Sequence, residues 1–259
     1  MALVPDHPPP RRVITTDGVA IASYEWGDPD APTVVAVHGF ASSAIANWHA
    51  TGWTRELTRA GFHVIAIDQR GHGASDKPHD PAAYSMEILV ADLLTVVDSA
   101  LIDEFALLGY SLGARVGWQV ALELPERLAR AVLGGIPDGD PLTCFRVDEA
   151  RRFLAGGQRS DDRLTMIYLD MAAGIPGNDV AALVSLVEGM RGGIQPDQSN
   201  PPRQPVLFAT GSADPILDAS RRLAAATPNG EFLEIPGRSH FNAPTSRVFR
   251  HGAVRYLAS

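Results

Sequence analysis

A serine, an aspartate and a histidine lie in contexts that suit nucleophilic catalysis. Ser111 is the centre of a Gly-Tyr-Ser-Leu-Gly sequence, Asp214 stands between Gly-Ser-Ala and a proline, and His240 follows Gly-Arg-Ser. A serine hydroxyl becomes an effective nucleophile when a base takes its proton, and a histidine base needs a carboxylate to orient its ring. These residue types predict acyl-transfer chemistry with Ser111 as nucleophile, His240 as general base and acid, and Asp214 as the orienting carboxylate.

The sequence around Ser111 has the pattern of a nucleophile elbow. An apolar run from Phe105 ends at Gly109, and after Ser111 apolar residues recur at three and four positions until Pro125, which predicts a strand followed by a helix. A serine at such a turn takes a positive φ, and the residues two before and two after it lie too close to neighbouring backbone for a Cβ. Gly109 and Gly113 meet that requirement.

The elements around the elbow alternate between strands and helices. Two alternating segments flank Asp17-Gly18 and predict an antiparallel hairpin over residues 13–26. Continuous apolar runs predict buried strands, and amphipathic stretches between them predict helices. The predicted strands are 33–37, 63–67, 105–110, 128–134, 205–210 and 231–235, and the predicted helices are 48–60, 85–101, 112–124, 218–226 and 243–258. This alternation is typical of βαβ units in a mostly parallel sheet, so the fold class is α/β.

The alternation stops between residues 136 and 203. No run there predicts a strand, and three helical stretches near 146–155, 161–173 and 178–191 are separated by Gly, Pro and Asn. We therefore expect a core formed by residues 1–135 and 204–259, with a small helical cap formed by residues 136–203.

The candidate residues follow the carboxyl ends of predicted strands, where parallel sheets collect their functional groups. His38-Gly39-Phe40 follows an earlier strand in the same way. We expect His38 to brace that loop, and Asp68 and Arg70 to form a pair that braces the next one. Asp138 or Asp140, after strand 128–134, is an alternative to Asp214 as the acid.

The sequence resembles the α/β-hydrolase fold family, and the resemblance extends from the first hairpin to the last helix. The motifs that carry it are His38-Gly39, Asp68-x-Arg70-Gly71-x-Gly73-x-Ser75, the elbow, and the acid and histidine after the last two strands. The resemblance implies a sheet of about eight strands and the three catalytic roles given above. It also implies an oxyanion hole formed by the backbone N–H groups of Phe40 and Leu112.

Composition excludes several other classes of function. The net charge is −8 and the 22 basic residues are scattered, so we expect no nucleic-acid partner. The single cysteine, the lack of an apolar run in residues 1–12 and the lack of a membrane-length segment predict a cytoplasmic protein without membrane association. No cofactor or metal motif is present; His72, Asp76, His79 and Asp80 lack a metal-site spacing. The oligomeric state stays open, with a homodimer among the alternatives.

Substrate preference is predicted from bulky apolar side chains. We expect the pocket to be lined by Met86, Trp118, Met166, Tyr168, Met171 and Met190. A serine nucleophile argues against the epoxide hydrolase and haloalkane dehalogenase branches, which need a carboxylate that can be alkylated. The expected substrate is a small to medium apolar carboxylic ester. The alternatives are a C–C bond hydrolase of dienone-type ring-fission products, a cofactor-free perhydrolase, and a non-catalytic binding protein on the same fold.

Overall fold

The structure is a computed structural model that describes residues 6–259, so the first five residues of the expected core segment lie outside it. In the described residues one eight-stranded sheet has the order β1-β2-β4-β3-β5-β6-β7-β8. The strands are β1 (Arg11–Ile14), β2 (Ala20–Trp26), β3 (Thr33–Val37), β4 (His63–Asp68), β5 (Phe105–Tyr110), β6 (Leu128–Gly134), β7 (Val206–Gly211) and β8 (Gly230–Ile235). β1, β2 and β4 pair antiparallel, and every other pairing is parallel.

The α-helices of the described residues connect these strands. They are α1 (Trp53–Arg59), α2 (Met86–Ser99), α3 (Leu112–Glu123), α4 (Val147–Leu154), α5 (Arg163–Gly174), α6 (Val180–Gly189), α7 (Leu217–Ala226) and α8 (Arg247–Leu257). Ser85 begins α2 as its N-cap, because its side chain accepts a hydrogen bond from the Ile88 N–H. The mostly parallel α/β architecture expected from the sequence is confirmed.

Two apolar layers cover the two faces of the sheet. Successive strand residues point to opposite faces, so Val35 packs with α2, α3 and α7, whereas Val34 packs with α1 and α8. β3 is buried along its whole length, which explains why its sequence is continuously apolar rather than alternating. The carboxyl ends of the parallel strands therefore meet at one edge that the two layers leave accessible.

The region predicted as a single helix over 48–60 contains two shorter pieces. A π-helical turn spans Ile45–His49, and α1 starts only at Trp53. Gly52 separates them with a φ of 84°, a left-handed conformation that interrupts helical hydrogen bonding. The sequence prediction missed this break because the apolar spacing continues through it.

Residues 136–203, called the insert below, contain α4, α5 and α6 and no strand. These helices share an apolar cluster that includes Phe145, Met166, Leu169 and Val184. Asp162 and Asp179 begin α5 and α6, because their carboxylates accept N–H hydrogen bonds from the first turn of each helix. Within residues 6–259, no helix combines the length and the apolar character needed to cross a bilayer.

Candidate active site

The backbone at Ser111 has the strained conformation expected of an elbow. Its φ is 53° and its ψ is −113°, and its N–H donates to the Gly134 carbonyl at 2.8 Å. A Cβ on Gly109 would collide with the backbone of Gly113, and a Cβ on Gly113 would collide with the backbone of Val37. The glycines therefore allow β5, α3 and β3 to approach each other closely, and that contact presents Ser111 at the edge of the sheet.

The structure brings Ser111, His240 and Asp214 into one chain of hydrogen bonds. His240 Nε2 lies 2.9 Å from Ser111 Oγ, and His240 Nδ1 lies 2.8 Å from Asp214 Oδ2. Because an ionised carboxylate only accepts, Nδ1 carries the proton and Nε2 is left to accept from the serine hydroxyl. The Asp214 carboxylate is buried, and its other oxygen accepts from the Ile216 N–H at 3.1 Å. This arrangement can deprotonate Ser111.

The two alternative acids have other partners. Asp138 pairs with Arg222, whose Nη2 lies 2.7 Å from Asp138 Oδ2. Asp140 accepts from the Leu142 N–H at 3.0 Å. Among the described residues, the carboxylate that reaches His240 belongs to Asp214.

Two backbone amides beside Ser111 are free to bind an oxyanion. Gly39 lies against the nucleophile, since a Cβ on it would be 3.3 Å from Ser111 Cβ. Within residues 6–259 the N–H groups of Phe40 and Leu112 have no hydrogen-bond partner. Leu112 is the first residue of α3, so its N–H also carries the partial positive charge of a helix N-terminus. Such donors can stabilise the negative oxygen of a tetrahedral intermediate.

Two buried histidines brace the loop that carries Phe40. His38 Nδ1 donates to the Gly39 carbonyl at 2.7 Å, and its Nε2 accepts from the Gln69 N–H. His72 Nε2 accepts from the N–H of Ala41, a residue with a φ of 58°. Burial lowers the pKa of His38 and lowers the pKa of His72 well below its usual value, so both rings stay neutral and can accept these bonds. The bracing role predicted for His38 agrees with these contacts.

The predicted pairing of Asp68 with Arg70 is wrong. Arg70 forms a bidentate ion pair with Asp92, in which Nε and Nη2 each donate to one carboxylate oxygen at 2.6 Å. Its Nη1 forms a second ion pair with Asp17 at 2.9 Å. Asp68 instead accepts from the N–H groups of Ala44 and Ala74. Both residues do brace loops at this edge, but each through a different partner.

A cavity of about 720 Å³ opens above Ser111 and His240. Most of its lining is apolar, and much of that lining comes from the insert, which contributes Pro137, Pro141, Leu142, Leu164, Ile167, Tyr168, Met171 and Ile175. From the core come Phe40, Leu112, Ile216, Phe241 and Pro244. The Tyr168 and Phe40 rings meet edge to face at 5.7 Å. A cavity of this size and character suits a small to medium apolar ligand.

Of the six residues predicted to line the pocket, Tyr168 and Met171 lie in the cavity wall, and the other four lie outside it. Met86 and Met190 belong to the core cluster beneath α2, and Trp118 packs toward Phe208 on the sheet. Met166 faces the interior of the insert. These side chains are large and apolar because they fill cores, and sequence spacing alone did not show which side of each helix faces the cavity.

Sequence reasoning missed four lining residues with polar groups, Ser42, Asn47, Tyr110 and Arg115. Tyr110 packs its ring against His240 and donates from its hydroxyl to the His240 carbonyl at 2.5 Å. Arg115 lines the cavity from the second turn of α3. A signal for Arg115 was available, because it is a charged residue four positions after the nucleophile, and the residues from 112 to 118 around it are apolar.

Comparisons with known proteins identify relatives of the chain. Epoxide hydrolase A of Mycobacterium tuberculosis is 35% identical over 129 residues, which make up 50% of this chain but only 39% of that protein. The putative carbamate hydrolase RutD of Klebsiella pneumoniae (strain 342) is 32% identical over 241 residues, 85% of this chain and 88% of that protein. The structure of the enol-lactonase from Burkholderia xenovorans LB400 superposes with a TM-score of 0.77 at 20% identity, covering 96% of this chain and 100% of that one.

The family model for the alpha/beta hydrolase fold matches residues 32–161, which include the Phe40 loop, the elbow and the start of the insert. The eight-stranded sheet and the position of Ser111 after β5 agree with that match. The chain belongs to the α/β-hydrolase fold family.

Proposed function

We propose that the protein is a serine hydrolase that cleaves a small to medium apolar carboxylic ester through an acyl-enzyme. The observation that carries the proposal is the hydrogen-bond chain from Asp214 through His240 to Ser111, beside two unpaired amides and beneath an apolar cavity. Each part matches one requirement of acyl transfer, namely a nucleophile, a base, oxyanion donors and a binding site for the acyl chain.

In the proposed reaction, Ser111 Oγ attacks the ester carbonyl while His240 Nε2 takes the serine proton. The carbonyl oxygen becomes negative and accepts from the Phe40 and Leu112 N–H groups. The tetrahedral intermediate collapses when His240 gives its proton to the departing alcohol, leaving an acyl-enzyme. A water molecule then gives a proton to His240 and attacks the acyl carbon, and Ser111 leaves with that proton while the acid departs.

Acyl transfer fits the nucleophile better than the epoxide chemistry named for the Mycobacterium relative. Attack of a serine oxygen on an epoxide carbon would form an ether, which has no carbonyl for water to attack, whereas a carboxylate nucleophile would form a hydrolysable ester. The likeness to that relative covers only part of its length. The name putative carbamate hydrolase, carried by the Klebsiella relative, describes acyl-group chemistry and so supports the proposal.

The expected ligand is a small molecule bound within the cavity, and nucleic acid, membrane and cofactor play no part in the proposed reaction. The C–C hydrolase and perhydrolase reactions would use the same three side chains, so the substrate must separate them. We also keep the expectation of a helical cap, because the insert supplies much of the apolar cavity wall.

The test is a panel of p-nitrophenyl esters with acyl chains of increasing length, run beside a dienone ring-fission substrate. We expect ester turnover that rises with chain length to an optimum and then falls, since the cavity is finite. Faster cleavage of the dienone would move the assignment to a C–C hydrolase. No turnover of either class would favour a non-catalytic binding protein.

A further inference from the structure

Arg115 places a cation in the wall of the cavity. Its backbone N–H donates to the Ser111 carbonyl at 3.1 Å, so it lies one helical turn beyond the nucleophile on α3. Residues four apart share a helix face, and helical side chains lean toward the N-terminus. Arg115 therefore lies on the face of α3 that presents Ser111, and its side chain lines the same cavity while being only 3% exposed.

The protein neutralises this guanidinium only in part. Nη2 donates to the neutral amide oxygen of Gln195 at 2.5 Å. The nearest carboxylate in the described residues, that of Asp140, lies 3.9 Å from Nη1, which is beyond hydrogen-bond distance. Nε is buried and has no hydrogen-bond partner within residues 6–259. Burial lowers the pKa of Arg115, because the charged form is poorly solvated there.

The hydrogen-bond partners of Arg115 differ from those of a buried arginine with a structural role. Arg70, which is equally buried, has two carboxylates in direct contact and uses its Nε and Nη2 on one of them. A guanidinium has five N–H donors, and buried donors are normally paired. A carboxylate in the cavity would pair with guanidinium N–H groups that the protein leaves free, in the planar bidentate geometry that arginine favours.

We propose that Arg115 binds a carboxylate of the substrate, so that the preferred ester is an apolar chain ending in an acid group. The inference rests on the proposed ester hydrolysis and narrows its substrate class. The apolar wall contacts the chain, Arg115 fixes its charged end, and the reacting carbonyl is thereby held at Ser111. Pairing in a largely apolar cavity makes such a contact strong, because little water competes for the charge.

The test compares p-nitrophenyl monoesters of adipic, pimelic and suberic acid with the p-nitrophenyl esters of hexanoic, heptanoic and octanoic acid. The readout is the ratio of kcat/KM between acid and neutral esters at the best chain length. We expect wild type to prefer the acid ester. Arg115→Met should lower the ratio by ~10- to 100-fold, the effect of losing a charge-assisted pair. Arg115→Lys should give an intermediate ratio, because lysine keeps the charge and loses the planar fork.

Arg250 offers a matched control. It is also a buried arginine with an unpartnered Nε in the described residues, but it lies on α8, donates to the Thr51 carbonyl, and is not part of the cavity lining. Arg250→Met should leave the ratio unchanged. A wild-type ratio at or below one, or an equal fall in the Arg250 variant, would overturn the proposal.

A second variant tests the same site with the buried cation in place, in case Arg115→Met fails to fold. Asp140→Asn removes the competing carboxylate near Arg115, while an asparagine oxygen can still accept from the Leu142 N–H. We expect the ratio to rise ~3-fold or more, because the cation loses its partial internal partner. An unchanged or lower ratio would contradict the inference.

Binding measurements separate this inference from the proposed reaction. In Ser111→Ala, the monomethyl esters of adipic, pimelic or suberic acid should raise Tm more than the uncharged methyl esters of hexanoic, heptanoic or octanoic acid, and adding Arg115→Met should remove the difference. If no ester is hydrolysed but this difference is present, the reaction is wrong and the carboxylate site stands. If esters are hydrolysed and the difference is absent, the site is wrong and the reaction stands. If both fail, both are wrong.

Discussion

The elbow, residues 109–113, and the insert meet at one cavity but are packed under different constraints. A Cβ on Gly109 or Gly113 would collide with backbone atoms, whereas a Cβ on Gly139, Gly156, Gly174, Gly177 or Gly192 in the insert would meet nothing within 4 Å. Backbone cannot move aside as a side chain can, so the elbow admits few residue types. A Cβ would also meet backbone at Gly157 and Gly189 of the insert, but neither residue lines the cavity, so this constraint does not act on the insert's lining side chains. We infer that the elbow sets the chemistry and the insert sets the choice of substrate.

The largest expected effect is at the nucleophile. Ser111→Ala should fold normally and lose at least ~10³-fold in kcat/KM for esters, because covalent catalysis disappears while the oxyanion donors remain. Steady-state kinetics and circular dichroism measure the two properties. If the folded variant hydrolysed esters as fast as wild type, the assignment of the chemistry to the elbow would be wrong.

The next largest effect is expected at the carboxylate that orients His240. The test compares Asp214, which lies in the core, with Asp138, which lies in the insert. Asp214→Asn should lower kcat/KM by ~10²-fold or more, because the asparagine no longer fixes the His240 tautomer. Asp138→Asn should remain within about threefold of wild type, since that carboxylate makes an exposed ion pair with Arg222. The reverse result would assign the orienting role to Asp138.

Glycine substitutions test the packing difference itself through stability. Gly113→Ala should cost more than ~3 kcal/mol or prevent folding, because the added methyl meets the Val37 backbone. Gly174→Ala at the end of α5 meets open space and should change the free energy of unfolding by less than ~1 kcal/mol, with helix propensity favouring alanine. Urea denaturation measures both. Equal costs would mean that the elbow is not more tightly constrained than the insert.

Substrate choice should respond to one methionine of α5 and not to another. Met171 lines the cavity, so Met171→Ala should shift the ester optimum toward longer chains, by about fourfold in relative kcat/KM per methylene accommodated, which corresponds to ~0.8 kcal/mol. Met166 is buried inside the insert, so Met166→Ala should lower stability by ~2–5 kcal/mol and leave the chain-length profile unchanged. A shifted profile in the Met166 variant would contradict the assigned helix face.

The smallest effect concerns an ion pair that supports the core loops. Asp17 bonds to Arg70, and this hydrogen bond lowers the pKa of the Asp17 carboxyl to about 2. Because the folded pKa is depressed, the stabilisation is present above pH ~4 and is lost as the pH falls toward 2. The Asp17 side chain is 45% exposed, so Asp17→Asn should cost less than about 1 kcal/mol at pH 7 and almost nothing at pH 2. Denaturant titration at the two pH values measures the loss in free energy of unfolding. An equal loss at pH 7 and pH 2 would mean that ionisation of Asp17 does not contribute to stability.

The same contrast explains what could be predicted from the sequence. The order of strands and helices, the elbow, and the hydrogen-bond chain from Asp214 through His240 to Ser111 follow from glycine positions and strand ends, which depend on local backbone geometry. The break at Gly52 and the partners of Arg70 depend on tertiary contacts, with Asp92 lying 22 positions away along the chain. The orientation of α5 over the site decides which of its side chains face the cavity. Apolar spacing in the sequence does not distinguish Met166 from Met171 in this respect. The cytoplasmic location stays a prediction.

Labelling with an active-site-directed fluorophosphonate tests the central claim most directly, because the reagent reacts with an activated serine without depending on the natural substrate. Intact-mass and peptide analysis should show one adduct per chain on the peptide containing Ser111 in wild type. The adduct should be absent in Ser111→Ala and much slower to form in His240→Ala. An unlabelled wild-type protein, or an adduct on another serine, would contradict the assignment of Ser111 as the nucleophile.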